Sequence, residues 1–192
     1  VLLVAMSAYV SARMEFKLKG LVTLMFTTTL FIPSISISFP IYRLLGDLGL
    51  KDTRGGLIFI YSGLGIAVTF FIIRSYFLTI PREMEEAARI DGLGRAGVFF
   101  RIVLPISKPC LTTIIILCFT GTWNSYFVPA TFLTDEKLFP IVVGLNTVKA
   151  KYFARPNLSL AGVILLTLPV LVIYIIFQKW FIQGVASSGI KE

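Results

Sequence analysis

The sequence predicts an all-α, polytopic membrane protein with about five visible transmembrane helices, the first of them truncated. Three observations carry that prediction. Of 192 residues, 56% are hydrophobic and mean hydropathy is +0.87. Charged residues make up only 15%, against about a quarter in an ordinary soluble domain. The charges are also confined, because residues 20–42, 55–73, 109–134 and 156–178 contain no Asp, Glu, Lys or Arg. Those runs are 23, 19, 26 and 23 residues long. At about 1.5 Å rise per residue each is sized to cross a hydrocarbon core of roughly 30 Å.

Residues 1–12 form a fifth uncharged run, followed at once by Arg13, Glu15, Lys17 and Lys19. It is too short to span and reads as the end of a truncated helix, so the sequence is expected to be a fragment. No basic segment precedes it as a cleaved secretory signal would require.

The run 20–42 carries Pro33 and Pro40, each expected to interrupt the helix by removing a backbone donor. Thr27, Ser34 and Ser38 recur on it at spacings of seven and four. Either they let neighbouring helices approach closely, or they line a polar pathway. The run 55–73 offers Gly63 and Ala67 as a small-xxx-small packing pair. In 109–134, Trp123-Asn124-Ser125 places polar groups within an apolar stretch, which is costly unless they face protein or water. They are a second pathway candidate. Cys110 and Cys118 lie in the same run without metal or redox spacing and read as packing thiols. Pro129 falls late in that run, and Pro169 bisects the last one.

The connection 74–108 is long and patterned. Pro81 suits a first helical position, and Glu83, Glu85 and Glu86 follow where carboxylates complement the helix dipole. Glu85 and Arg89 are spaced as an i,i+4 ion pair. Asp91-Gly92 reads as a stop and turn. Val98, Phe99 and Ile102 then recur at helical spacing up to Leu104-Pro105. A short helix, a glycine turn and a second amphipathic helix are expected, with Ala87 and Ala88 small enough for something else to approach.

Several functions are excluded or disfavoured on composition. The absence of His removes His-based catalysis and His metal ligands. No Walker A glycine loop occurs, so the chain has no nucleotide site of that kind. An ion channel or secondary carrier predicts ionisable residues inside the membrane, and the four runs have none. An intramembrane enzyme lacks a nucleophile with a base. The net charge of +8 sits in connections, where orientation and lipid headgroups explain it without nucleic acid. Odd-numbered connections hold 11 of the 18 Lys+Arg, which favours placing 13–19, 74–108 and 179–192 in the cytoplasm.

Glu86-Ala87-Ala88, Asp91-Gly92, Phe99, Ile102 and Leu104-Pro105 reproduce the EAA loop (E-A-A-x-x-D-G, then F-x-x-I-x-L-P). The chain thereby resembles the permease subunits of ATP-binding-cassette importers. Phe31-Ile32-Pro33, Pro40-Ile41-Tyr42, Leu48-Gly49-Leu50 with Asp52-Thr53, Gly121-Thr122-Trp123-Asn124 and Leu138-Phe139-Pro140-Ile141 extend the resemblance to the maltose-type, oligosaccharide-importing permeases. Leu93 departs from the pattern, which usually has Ala there.

The resemblance implies a single six-helix permease domain over residues 1–192 with a cytoplasmic coupling segment at 81–105. Its implied coupling residues are Glu86, Ala87, Ala88, Arg89, Asp91, Gly92, Phe99 and Pro105, with Glu86 meeting a basic residue of an ATPase and Gly92 shaping the turn. Trp123, Asn124, Ser34 and Ser38 are the candidates for the translocation pathway. Implied partners are a second permease, two cytoplasmic ATPase subunits that bind ATP and Mg, an extracytoplasmic solute-binding protein and membrane lipid. No cofactor is expected in this chain itself, and no chemistry of its own. The implied location is a bacterial or archaeal plasma membrane with the C-terminus cytoplasmic. The alternative within the resemblance is a permease for amino acids, peptides or ions.

Overall fold

A computed structural model describes residues 1–151 and 156–189, with side chains to 147 and from 157 to 179. The end of the expected cytoplasmic C-terminus, 190–192, lies outside these. The described residues are helical and contain no strand. The helices are α1 (Leu2–Arg13), α2 (Lys19–Thr29), α3 (Ser38–Asp47), α4 (Arg54–Gly63), α5 (Ile66–Thr79), α6 (Arg82–Ile90), α7 (Arg95–Val98), α8 (Leu104–Ile106), α9 (Lys108–Trp123), α10 (Phe127–Phe132), α11 (Ile141–Lys151) and α12 (Pro156–Gly189). A π turn, Phe99–Val103, joins α7 to α8.

The all-α expectation holds, but three of the four uncharged runs are broken rather than continuous. Within α12, Asn157–Lys179 is an unbroken apolar stretch of 23 residues with hydropathy 2.8, long enough to cross a membrane alone. Two further pairs meet the same requirement only together: α4 with α5, and Arg95–Ile106 with α9, the latter bent by 73°.

The run 20–42 is not one helix. Thr27, Thr28 and Thr29 turn their hydroxyls back onto the carbonyls of Thr23, Met25 and Phe26, which weakens helix continuation. Pro33 follows in a stretch of turns, and α3 restarts at Ser38. Thr27, Ser34 and Ser38 therefore share no continuous face. Pro40 and Pro129 start helices rather than interrupt them, each being the third residue of α3 or α10, where the N–H has no intrahelical partner to lose. Gly65, with φ 75°, separates α4 from α5 and so parts Gly63 from Ala67. Pro169 does lie inside α12.

The chain divides into two compact units. Unit 1 comprises Val1–Phe31, Gly65–Ile116 and Phe177–Glu192. Its core forms where α1 presents buried Ala5, Ala8 and Ala12 to Phe70, Ile73 and Phe77 of α5. Small residues on one helix and large ones at i, i+3 and i+7 on the other let the backbones approach and fill the space between. Val98, Phe99 and Val103 close this core from the segment after α6.

Unit 2 comprises Ile32–Leu64 and Leu117–Ile176. Leu45, Leu57 and Ile60 pack with Val128, Phe132 and Leu133. Thr53 caps α4, its hydroxyl oxygen accepting the Gly56 N–H at 3.0 Å. Gly56 must be glycine, because a Cβ there would lie 2.3 Å from the Leu50 carbonyl oxygen. One residue before the cap, Asp52 adopts a positive φ of 52°. Its Oδ1 accepts the backbone N–H groups of Thr134 (2.8 Å) and Asp135 (3.2 Å), and its Oδ2 accepts the Thr134 hydroxyl. These bonds hold the Asp52 carboxyl below its ordinary value, the Thr134 hydroxyl contributing most.

Candidate functional site: the coupling segment

The segment 81–105 folds as the sequence predicts, with adjustments at its ends. Pro81 is the residue before α6 rather than its first, with extended ψ 135°. Glu83 and Glu85 occupy the first turn and Arg89 the last, both in the sense that favours the helix dipole. Gly92, at φ +89°, ends α6. Its N–H donates to the Arg89 carbonyl and the Leu93 N–H to the Ala88 carbonyl, both at 3.0 Å. This paired closure is a Schellman motif. Leu93 is half-buried against the unit 1 core and packs over Gly97. Its departure from the usual Ala is therefore absorbed inside the unit, not on the outer face of the turn.

The expected stop at Leu104-Pro105 falls slightly later. The Leu104 N–H reaches back to the Phe99 carbonyl, a π-type bond five residues long. Widening the turn immediately before Pro105, which has no N–H to give, lets the helix run on to Ile106. The buried Ser107 hydroxyl then donates to the Val103 carbonyl at 2.7 Å.

The faces of α6 are sharply divided. Glu85 and Ala88 are buried, whereas Glu83, Glu86, Ala87 and Ile90 are exposed at i, i+3, i+4 and i+7. Arg89, Asp91 and Gly92 are exposed as well. Ile90 is 87% exposed. A large aliphatic residue fully open beside two carboxylates is a surface suited to a protein partner. The expectation for the alanines is corrected in part: Ala87 is open to a partner, but Ala88 lets the protein's own core approach.

The expected Glu85–Arg89 pair is also corrected. Glu85 turns inward to Arg13 at the end of α1, with Arg13 Nε 2.7 Å from Glu85 Oε1 and both side chains only 5% exposed. The contact is ionic, its N–H lying off hydrogen-bond alignment. The Tyr9 hydroxyl donates to Glu85 Oε2 at 2.9 Å, and Arg13 Nη2 donates to the Ile80 carbonyl. The burial of two charges outweighs a surface i,i+4 pair, because a buried ion needs its counter-ion far more than an exposed one does. Sequence reasoning missed Tyr9 and Arg13. Their i,i+4 spacing at the end of an apolar helix was the available signal. Phe99 is buried, its ring 5.0 Å from that of Tyr9 and 6.4 Å from that of Phe77, whereas Pro105 is exposed.

The pathway candidates all lie in unit 2 and fall into two places. Ser34 and Ser38 line a narrow apolar crevice with Ile60, Leu64, Phe127 and Phe132. Trp123 and Asn124 are not part of that lining. Trp123 stacks on Phe119 at 5.6 Å and donates its Nε1–H to the Leu166 carbonyl of α12 at 2.9 Å. Leu166 lies three residues before Pro169, where a proline loosens the helix ladder. Asn124 is exposed at the break between α9 and α10. Among the described residues no three of His, Cys, Asp or Glu converge to hold a metal.

Residues 2–187 match the family model described as the binding-protein-dependent transport system inner membrane component. The chain is 38% identical over 97% of its length to the probable ABC transporter permease protein YurM of Bacillus subtilis, covering 62% of that protein. It is 31% identical over 97% of its length to the arabinooligosaccharides transport system permease protein AraQ of Bacillus subtilis, covering 66% of it. Against the melibiose/raffinose/stachyose import permease protein MelC of Bacillus subtilis it is 34% identical, over 97% of this chain and 68% of that protein. The chain thus spans about two thirds of the length of these relatives. Among solved structures, a bacterial ABC transporter involved in the import of the acidic polysaccharide alginate superposes with a TM-score of 0.76 at 25% identity, over 94% of this chain and 68% of that one. With a matching family model over nearly the whole chain and the same helical fold, this protein belongs to the inner membrane components of binding-protein-dependent transport systems.

Proposed function

We propose that this chain is a permease subunit of an ATP-binding-cassette importer that moves a sugar or oligosaccharide across a bacterial or archaeal plasma membrane. It forms half of the translocation pathway with a second permease. ATP and Mg are bound by two cytoplasmic ATPase subunits, and solute is delivered by an extracytoplasmic binding protein. The segment 74–108 and the C-terminus face the cytoplasm. The observation that carries the reading is the outward face of α6, where Glu83, Glu86, Ala87 and Ile90 stand clear of the core as a docking surface. Support for the sugar class comes from the relatives whose names specify arabinooligosaccharides, melibiose, raffinose and stachyose.

Purification of the full-length chain with whatever binds it tests both parts. Co-purifying ATPase subunits and a binding protein that carries a saccharide are expected. A complex without an ATPase overturns the importer reading, and a binding protein loaded with an amino acid, peptide or ion overturns the sugar class.

A further inference from the structure

Glu85 is one of three acids on a nine-residue helix, yet it alone is turned inward to meet a cation seventy-two positions earlier in the chain. Four ties converge there. Arg13 contacts Glu85, Tyr9 donates to Glu85, Arg13 donates to the Ile80 carbonyl, and the Phe99 ring packs on Tyr9. They join the end of α1 to the segment just before α6, to α6 itself and to the π turn that follows it. Apolar packing tolerates sliding, but a buried ion pair has one favourable register, because separating the charges in a low-dielectric interior is costly. On the adjoining face α1 is packed to α5 through Ala5, Ala8 and Ala12, and the Tyr9 ring itself meets Phe77 of α5 at 6.0 Å.

We propose that Arg13 and Glu85, braced by Tyr9, are positioning residues that make α6 and α1 one lever. A displacement imposed on the outer face of α6 is then delivered to α1. The proposal rests on the reading above that α6 docks on an ATPase. It assigns the two adjacent glutamates opposite duties: Glu86 faces the partner, and Glu85 carries the motion inward.

The test uses the complete transporter, with the full-length chain and its native partners, in a background lacking Cys110 and Cys118. Spin labels are placed by Gly94→Cys beyond α6 and, separately, by Leu3→Cys on α1, where Leu3 is 80% exposed. The spectral change on trapping with ATP and orthovanadate is recorded at each. In the parent background both labels should respond. In Glu85→Gln and Arg13→Gln the Gly94 response should persist while the Leu3 response falls at least fivefold, and Arg13→Glu with Glu85→Arg should restore it. A purely structural pair would change both responses together or neither. Tyr9→Phe removes one hydrogen bond and keeps the ring, so it should assemble even if the charge variants do not, with the Leu3 response at least halved. An undiminished Leu3 response in assembled Glu85→Gln, or in Tyr9→Phe if the charge variants do not assemble, overturns the lever. No response at either label in the parent background would instead overturn the docking of α6 on an ATPase.

Discussion

Glu85 and Glu86 are consecutive in sequence but occupy different faces of α6, the first closed against Arg13 and the second open to solvent. A helix turns about 100° per residue, so two like residues side by side are separated as soon as one face is buried. Substitutions at the two positions should therefore fail in different ways. Glu86→Lys should leave the fold intact, since exposed charge changes cost within about 0.5 kcal/mol, but should abolish binding-protein-stimulated ATP hydrolysis. Glu85→Ala should destabilise the chain by about 3–5 kcal/mol, because it strands Arg13. Thermal melting and ATPase assays on the same preparations separate the two, and a wild-type stimulated rate in Glu86→Lys would remove α6 as the docking surface.

The turn after α6 depends on conformation rather than space. Nothing lies within 4 Å of a Cβ built on Gly92, but its φ of +89° is unfavourable for any residue that has one. Gly92→Asn should be tolerated better than Gly92→Ala, and Gly92→Val should be worst, with strain of about 1–2 kcal/mol or more. Stimulated ATPase activity should fall in that order. Equal activity in all three would mean that the turn is not held in this geometry during coupling.

Topology is testable with single cysteines in a background lacking Cys110 and Cys118. Gly94→Cys and Asn146→Cys should react with an impermeant thiol reagent from opposite sides of the membrane, Gly94→Cys only from the cytoplasmic side. Labelling of that variant in intact cells would invert the proposed orientation.

Asp52 gives unit 2 a pH-dependent tie. Its carboxyl is held below the ordinary range by Thr134 and Asp135, so the ionised form is the one that the fold favours. The stabilisation is complete above the unfolded value of about 3.9 and is lost as pH falls through the lower folded value. Asp52→Asn keeps a side chain that tolerates positive φ but removes the charge. The wild type should melt higher than this variant at neutral pH, with the gap closing as pH drops below the carboxylate range. A gap independent of pH would show that the charge contributes nothing.

Trp123 and Asn124 should separate packing from transport. Trp123→Phe keeps a ring to stack on Phe119 but loses the bond to Leu166, at a cost of about 0.5–1.5 kcal/mol. It should lower the melting temperature more than it changes uptake. Asn124 is exposed in this chain, and Asn124→Leu should alter uptake rate or solute preference in a complex that still assembles. Unchanged uptake kinetics in Asn124→Leu would assign the cluster to helix packing.

What the sequence determined alone was whatever depends on local order. The confinement of charge fixes an all-helical membrane chain, and the spacing of Glu86-Ala87-Ala88, Asp91-Gly92 and Leu104-Pro105 identifies a helix, a left-handed glycine and a second helix. A positive φ and a helix stop are properties of a few adjacent residues, so they can be read without knowing what lies across the core. Partner choice is not local. Glu85 had Arg89 within reach on its own helix and took Arg13 instead, because packing of α1 on α5 brings that guanidinium to the same apolar interior, where an unpaired charge would be far more costly than on the surface. The continuity of spans was likewise illegible, since an uncharged run records what can enter lipid and not where its backbone breaks. Thr27 to Thr29 with Pro33, Gly65, and the break at Asn124 to Tyr126 between α9 and α10 mark where those runs part. Only the tertiary structure decides which carbonyls and hydroxyls find other partners there.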